Sequence, residues 1–165
     1  MNIIYFAGGC FWGVEKHFSL IRGVVATEVG YANGHVASPS YQQVCAGDTG
    51  HAETVKVEYD PARVSLEKLL ALYARVIDPT SVDRQGADAG PQYRTGVYYI
   101  TEEDGSIIRR FLVSLQERFA APIAVECAPL KAFYNAEEYH QNYLEKNPTG
   151  YCHIGPSAFL EAREA

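Results

Sequence analysis

The sequence predicts an α+β fold in which one sheet and a layer of helices form a two-layer sandwich. Two observations support this prediction. Apolar residues alternate in short segments typical of strands, and they recur at helical spacing in the longer segments between them. The predicted elements also follow the order strand, helix, strand, strand, helix, strand, which is the βαββαβ order of ferredoxin-like folds. A C-terminal helix and an irregular tail are expected to complete the chain.

The first half of the chain contains three predicted strands and one predicted helix. An apolar run predicts a strand over about 3–8, and apolar residues at helical spacing predict a helix over about 10–21. A second strand is expected over about 24–30, before a loop over 31–50 that is rich in Gly, Ser and Asn. The third strand, over about 52–59, alternates with period two.

The second half opens with two capped helices. Ser65 is a typical N-cap residue, and the apolar face after it predicts a helix over about 65–77. A loop rich in Gly and Asp follows over about 78–92, and a strand over about 94–100. Thr101, with an acidic residue three positions later, resembles a capping box that opens a third helix, which is expected to reach about residue 119.

The remaining elements are a short strand, a last helix and the tail. Residues 123–128 are predicted as a strand, at a precision of about 2–4 residues. Asn135 and Glu138 form a capping signature for a helix over about 136–146. The tail over about 148–165 contains Pro148 and Gly150 and is expected to be flexible.

Length and composition indicate one catalytic domain over residues 1–165. The net charge of −6 argues against a nucleic-acid partner, because no basic stripe is available to neutralise phosphates. No apolar run approaches the roughly 18 residues that a membrane helix needs. The chain begins almost directly in the first strand, so we expect no signal peptide, a cytoplasmic location and a monomer.

The four cysteines lie far apart in the chain, without the close spacing that is typical of zinc sites or thioredoxin motifs: Cys10, Cys45, Cys127 and Cys152. A static disulfide framework is not expected in a reducing cytosol. Any disulfide should therefore form transiently, as a step in a reaction. Cys152 lies in the predicted flexible tail, where an exposed thiol could reach another sulfur.

Cys10 is the first candidate catalytic residue. It follows Gly8 and Gly9 at the predicted strand-to-helix junction and precedes Phe11 and Trp12. Unpaired N–H groups and the dipole at a helix N-terminus favour a thiolate. The alternative is a buried structural thiol, but the flanking glycines and aromatics favour a reactive one.

Glu53 is the second candidate. It has the same parity as Val55, Val57 and Tyr59 in the third strand, so its carboxyl should point inward at the end of an apolar row. Loss of hydration favours the neutral acid, which could donate a proton near pH 7. The alternative is a strand end that bends Glu53 into solvent.

Other polar residues give weaker signals. His51 and Glu53 form an H-x-E tripeptide found in zinc deaminases, but the P-C-x-x-C segment that accompanies it is absent, and no metal or cofactor is expected. Tyr41 and Tyr93 lie in the two long loops, where a phenol could donate to a ligand oxygen. Asp88, between glycines, is typical of a turn.

Four segments in this order resemble class A peptide methionine sulfoxide reductases: residues 9–13, 47–53, 84–94 and 139–152. The resemblance implies a ferredoxin-like fold and reduction of the S epimer of methionine sulfoxide, free or in proteins, with thioredoxin as the reductant. It implies that Cys10 is the nucleophile and that Cys152 resolves its sulfenic acid as a disulfide. These steps are chemically consistent with reversible cysteine oxidation and thiol exchange.

The resemblance also implies a role for each remaining candidate. Phe11 and Trp12 would form an apolar pocket for the ε-methyl group of the substrate. Glu53, Tyr41 and Tyr93 would hydrogen-bond the sulfoxide oxygen, with Glu53 as proton donor. Asp88 would hold a backbone amide of the substrate.

The chain departs from common versions of this family in three ways. No cysteine follows Cys152 to relay the disulfide, so the reductant should attack the Cys10–Cys152 bond directly. Ala87 stands where Asn is frequent, and Ile77 where His is frequent. Two other functions remain open at this point: a cysteine hydrolase that uses Cys10 with a histidine base, and a non-catalytic module that binds an apolar ligand.

Overall fold

A six-stranded mixed sheet forms the centre of the protein, in a computed structural model that describes residues 1–165. The strands of this sheet have the order β7-β6-β1-β3-β2-β8. A separate two-stranded hairpin consists of β4 and β5. The strands are β1 Asn2–Gly8, β2 Val24–Ala32, β3 Ala52–Tyr59, β4 Arg84–Gln85, β5 Asp88–Ala89, β6 Thr95–Tyr99, β7 Glu126–Pro129 and β8 Phe133–Asn135.

All pairs in the sheet are antiparallel except β6 with β7, which is parallel. The strand β1 pairs with β3 on one side and with β6 on the other, so the N-terminal strand is central. Six helices accompany the strands: α1 Phe11–Ser19, α2 Tyr41–Cys45, α3 Leu66–Ala74, α4 Glu102–Gln116, α5 Tyr143–Lys146 and α6 Pro156–Glu164. The protein therefore has a mixed α/β fold. No helix is long and apolar enough to cross a bilayer.

The alternation of β1 distributes its side chains between two apolar clusters. Ile4 and Phe6 belong to a core of 27 buried residues that includes side chains of α1 and α3. Phe6 stacks on Phe18 of α1 with ring centroids 4.4 Å apart. Tyr5 and Ala7 point to the other face, where they join a smaller cluster of five buried residues. Both sides of β1 are thus buried, which fixes the position of its C-terminal end.

Two of the predicted helix caps are confirmed. The Ser65 side chain accepts a hydrogen bond from the Lys68 backbone N–H, and the Thr101 side chain accepts one from the Asp104 backbone N–H. The third capping prediction is wrong, because Asn135 ends β8 and the short helix α5 begins only at Tyr143. Pairing of Asn135 with Gly30 of β2 outweighs its local capping preference.

The two long predicted loops contain short ordered elements. The segment 31–50 includes α2, which Ser40 opens with a complete capping box to Gln43. The segment 78–92 includes the β4–β5 hairpin, in which Gly86 adopts a φ of 59°. Gln85 of the second segment lies against Gly9, where the chain turns from β1 into α1.

The prediction of an irregular tail is wrong for residues 156–164, which form α6. Pro156 occupies the first turn of this helix, where its missing N–H has no cost. Ala158 and Ala162 are buried, and Lys16 of α1 lies 4.5 Å from the ring centroid of Phe159. Packing on α1 therefore orders the C-terminal end of the chain.

Candidate active site

Cys10 lies at the junction of β1 and α1, as the N-cap residue of that helix. The preceding Gly9 has a φ of 89°, and a Cβ placed on it would lie 2.8 Å from Cβ of Gln85. Only glycine satisfies both constraints at this position. The sharp turn places Cys10 next to the end of β3, and its side chain is 8% exposed.

Glu53 points inward from β3, as its parity with the apolar residues of that strand predicts. Its side chain is 1% exposed, and Oε1 accepts a hydrogen bond of 3.2 Å from the Phe11 backbone N–H. The second oxygen, Oε2, is buried without a partner. Burial raises the pKa of Glu53 to about 8, although the Phe11 N–H opposes the shift. Glu53 is therefore a protonated acid at neutral pH, and the alternative of a solvent-exposed strand end is wrong.

The Cys10 thiol is also protonated in the resting protein. Burial raises its pKa well above the ordinary value. Glu53, which is ionised at the high pH at which the thiol titrates, and Asp88 raise it further. The Trp12 backbone N–H at the start of α1 lowers the pKa, but by less than burial raises it. The helix N-terminus thus favours the thiolate, as expected, but in the substrate-free protein burial outweighs this effect.

Phe11 and Trp12 lie against His140, which is the centre of an aromatic cluster. The Trp12 indole Nε1–H donates to Nδ1 of His140 at 3.0 Å, and the indole stacks on Tyr143 with ring centroids 3.8 Å apart. The Phe11 ring centroid lies 5.3 Å from that of His140. Tyr41 covers His140 at a centroid distance of 4.4 Å. These contacts fix the indole in one orientation beside Cys10.

The two predicted phenols lie within the electrostatic reach of Glu53. For both Tyr41 and Tyr93, burial raises the pKa, and the charge of Glu53 is among the further causes. The charges of Asp88 and Cys10 also raise the pKa of Tyr93. Both hydroxyls therefore remain protonated at neutral pH and are able to donate hydrogen bonds.

The chain from Tyr151 to Ile154 is docked against the start of α1. A Cβ placed on Gly13 would lie 3.0 Å from Sγ of Cys152 and 3.1 Å from Cδ1 of Ile154. Tyr151 donates a hydrogen bond of 2.8 Å to Oδ2 of Asp88. Cys10 and Cys152 are both free thiols. Cys152 is close enough to Cys10 to contribute to the rise of its pKa.

Comparison with known proteins identifies the family of this chain. The family model described as peptide methionine sulfoxide reductase matches residues 2–165. The chain belongs to the peptide methionine sulfoxide reductase family. A curated relative from Lachnoclostridium phytofermentans, named peptide methionine sulfoxide reductase MsrA, is 59% identical over 98% of both chains. A relative of the same name from Clostridium acetobutylicum is 56% identical over 93% of this chain and 95% of its own.

Solved structures of family members have the same fold. The reduced form of Mxr1 from Saccharomyces cerevisiae has a TM-score of 0.89 at 38% identity, covering 93% of this chain and 91% of that one. Methionine sulfoxide reductase A of Corynebacterium diphtheriae also has a TM-score of 0.89 at 38% identity, covering 92% of this chain and 77% of its own. The complex of Mxr1 with Trx2 is a more distant match, with a TM-score of 0.63 at 27% identity over 86% of this chain and 84% of that one.

Sequence reasoning missed two residues that shape the site of this reductase family member. Glu137 accepts hydrogen bonds from the Tyr31 hydroxyl at 2.8 Å and from the Tyr41 backbone N–H at 3.0 Å, which anchors the start of α2. No local pattern indicates this role. His140 is the other, and its only sequence signal is its place in a segment that resembles the reductases.

His51 has a structural role in this family member. Its Nδ1 accepts a hydrogen bond of 2.9 Å from the Gly34 N–H, and its Nε2 lies 2.7 Å from the Val36 carbonyl oxygen. Both ring nitrogens thus fasten the loop after β2. In the H-x-E tripeptide, the His51 ring thus binds backbone groups of this loop and helps to position Glu53 at the start of β3.

Proposed function

We propose that this protein reduces the S epimer of methionine sulfoxide, free or in proteins, to methionine, and so repairs oxidised proteins. The observation that carries the proposal is a buried, protonated Glu53 beside the Cys10 thiol. A sulfoxide is a weak electrophile until its oxygen is protonated. An acid that keeps its proton at neutral pH, facing a sulfur nucleophile, is the pair that this reaction needs.

In the first step, Sγ of Cys10 attacks the sulfoxide sulfur while Glu53 protonates the sulfoxide oxygen. The thiol proton of Cys10 passes to the Glu53 carboxylate, so that the acid is restored. The oxygen is transferred to Cys10, which becomes a sulfenic acid, and methionine leaves. Sulfoxide and thiol are thus converted to sulfide and sulfenic acid without an external proton.

The surrounding residues bind the substrate and stabilise the developing charge. The Tyr41 and Tyr93 hydroxyls donate hydrogen bonds to the sulfoxide oxygen beside Glu53. Phe11 and Trp12 form the apolar wall that receives the ε-methyl group. Asp88 accepts a hydrogen bond from a backbone amide of the substrate and exchanges its present donor, the Tyr151 hydroxyl, for it.

Cys152 completes the cycle. Its sulfur attacks the sulfenic sulfur of Cys10, a disulfide forms and water leaves. Thioredoxin then reduces the Cys10–Cys152 disulfide by thiol exchange. The complex of Mxr1 with Trx2 supports thioredoxin as the partner. Dependence on such a dithiol supports a reducing compartment, the cytoplasm.

The strand order supports a more specific description of the fold. The four strands β6, β1, β3 and β2 are adjacent in that order and antiparallel, with α1 and α3 as the connecting helices. We infer a ferredoxin-like core within one catalytic domain, to which β7, β8 and the C-terminal helices have been added.

The test is a single-turnover reaction of the reduced protein with each epimer of methionine sulfoxide, followed by methionine quantification and disulfide mapping. We expect one methionine per protein and a Cys10–Cys152 disulfide from the S epimer alone. Cys152→Ser should still release one methionine but lose turnover with thioredoxin. Turnover that does not depend on Cys152 would indicate a cysteine hydrolase, and the absence of methionine would indicate a binding module. Either result would reject the proposal.

A further inference from the structure

His153, next to Cys152, is a half-buried imidazole that the reaction outlined above does not use. Both of its ring nitrogens are shielded from solvent and lack a hydrogen bond of standard geometry. A buried polar atom without a partner is costly, and in native proteins such atoms mark sites with a function or a missing partner. The imidazole can therefore accept or donate a proton when a new partner arrives.

Contacts with two glycines, one before and one after Cys10 in the sequence, locate His153 and Cys152 relative to that cysteine. A Cβ placed on Gly9 would lie 3.3 Å from Nε2 of His153. A Cβ placed on Gly13 would lie 3.0 Å from Sγ of Cys152. The imidazole thus lies against the residue that precedes Cys10, and the Cys152 sulfur lies one helical turn beyond Cys10.

This arrangement suits proton transfer during disulfide formation. The His153 imidazole lies against the residue before Cys10 and is the sequence neighbour of Cys152. A base at this position adjoins both of the residues between which the disulfide forms.

We propose that His153 transfers the proton during disulfide formation, taking it from the Cys152 thiol and delivering it to the hydroxyl that leaves Cys10. The proposal rests on the proposed function, because it requires the sulfenic acid of Cys10. The Cys152 S–H bond and the Cys10 S–O bond break, and the S–S bond and one O–H bond form. One water molecule is released, and the imidazole returns to its neutral state.

The surroundings of His153 keep it neutral and able to accept a proton. Burial lowers its pKa, while the Asp88 carboxylate and the Gly8 backbone oppose that shift. The titratable group that acts on it is Asp88 of β5, and Cys152 is its neighbour in the sequence. At pH 7 it is thus a neutral base beside a thiol, which is the state that general base catalysis requires.

The experiment measures two rates in a single turnover without reductant, by quenching the reaction at intervals and alkylating the free thiols. Methionine release reports the first step, and the loss of two thiols reports disulfide formation. The variants are His153→Phe, which keeps a ring of similar size, and His153→Ala, which leaves space for added imidazole. His35→Ala, at an exposed histidine, is the matched control.

We expect both His153 variants to release methionine at the normal rate and to form the disulfide at least about tenfold more slowly. Added imidazole should restore the rate of His153→Ala and leave His35→Ala unchanged. Between pH 6.5 and 8 the wild-type rate should be flat, because neutral imidazole removes the thiol proton. The rate of His153→Phe should rise by about tenfold per pH unit, because only the thiolate can then attack.

Three results would overturn the proposal. One is disulfide formation at the wild-type rate in either His153 variant. Another is slower formation without imidazole rescue and with an unchanged pH profile, which would mean that His153 only seats the tail. The third is slower methionine release in these variants. If the wild-type protein itself releases no methionine, the proposed function is rejected instead.

Discussion

Replacement of Glu53 by Gln should remove the pH dependence of stability that its buried carboxyl causes, together with the proposed catalytic acid. In the folded protein the carboxyl keeps its proton up to a pKa of about 8, because it is buried and 1% exposed. In the unfolded chain it ionises near its ordinary pKa of 4.5. At a pH between these two pKa values the protein takes up a proton when it folds. The free energy of unfolding therefore falls as the pH increases.

The size of the effect follows from the two pKa values. From pH 5 to pH 7 the unfolded carboxyl changes from mostly ionised to fully ionised, while the folded carboxyl stays protonated. Each pH unit over which the two states differ by one proton changes the free energy of unfolding by about 1.36 kcal/mol. The change from pH 5 to pH 7 is therefore about 2.5 kcal/mol. Glutamine cannot ionise and can still accept the Phe11 N–H. The free energy of unfolding of Glu53→Gln should therefore gain about 2.5 kcal/mol on wild type over this interval.

Urea unfolding at pH 5, 6 and 7 measures this difference. Glu58→Gln is the control, since Glu58 lies on the same strand, is only partly buried and makes no hydrogen bond through its side chain. In the same preparations kcat for sulfoxide reduction should fall by at least about a hundredfold in Glu53→Gln, with little change in KM. The acid acts mainly in the transition state, which accounts for the difference between the two constants.

A stability difference that stays constant from pH 5 to pH 7 would refute this reasoning. It would mean that Glu53 titrates alike in the folded and unfolded protein, so that burial does not maintain the acid. An equal loss in kcat and in substrate affinity would separately contradict its role as proton donor. Both readouts are independent of the absolute stability of the variant, because one compares stabilities across pH and the other compares kcat with KM.

Three further predictions concern neighbouring residues. His17 is fully buried with a pKa lowered to about 4, so it opposes folding below pH 6.5; between pH 7 and pH 5, urea unfolding should show wild type losing about 2 kcal/mol relative to His17→Gln. A constant difference would contradict this. Gly13→Ala would push on Sγ of Cys152 and should slow disulfide formation in thiol-trapping experiments, without changing the methionine burst; an unchanged rate would mean that the tail adjusts freely. Trp12→Phe removes the hydrogen bond to His140 and part of the apolar wall, so steady-state kinetics should show KM raised several-fold, and an unchanged KM would place the methyl pocket elsewhere.

The parts of the site that were predictable from sequence depend on short-range patterns. The parity of β3 identified Glu53 as an inward-facing carboxyl, and the structure confirms its burial. The glycines before Cys10 and the apolar spacing after it correctly predicted the junction of β1 and α1. The capping box of Ser40 and Gln43 was equally readable, but a helix of five residues has too few apolar positions to produce a periodic signal.

The parts that were not predictable depend on contacts between distant segments. Trp12 and His140 are 128 residues apart, and nothing local to either residue indicates their hydrogen bond. The protonation state of Cys10 is another such property. A helix N-terminus is visible in the sequence and favours the thiolate, but burial by the tail and by β3 is not visible and determines the sign of the shift.

Burial thus raises the pKa of both Cys10 and Glu53, and this has a consequence for the chemistry. An ionised Glu53 could not protonate a sulfoxide, and an ionised Cys10 next to it would be repelled by its charge. With both groups protonated, the pair is neutral and stable without substrate, and the thiol is protected from oxidants that react with thiolates. In the proposed reaction the sulfoxide oxygen supplies the missing proton acceptor, because it takes the Glu53 proton and leaves a carboxylate that can receive the thiol proton. The low-dielectric environment that makes Cys10 unreactive at rest is therefore what links its activation to the presence of the substrate.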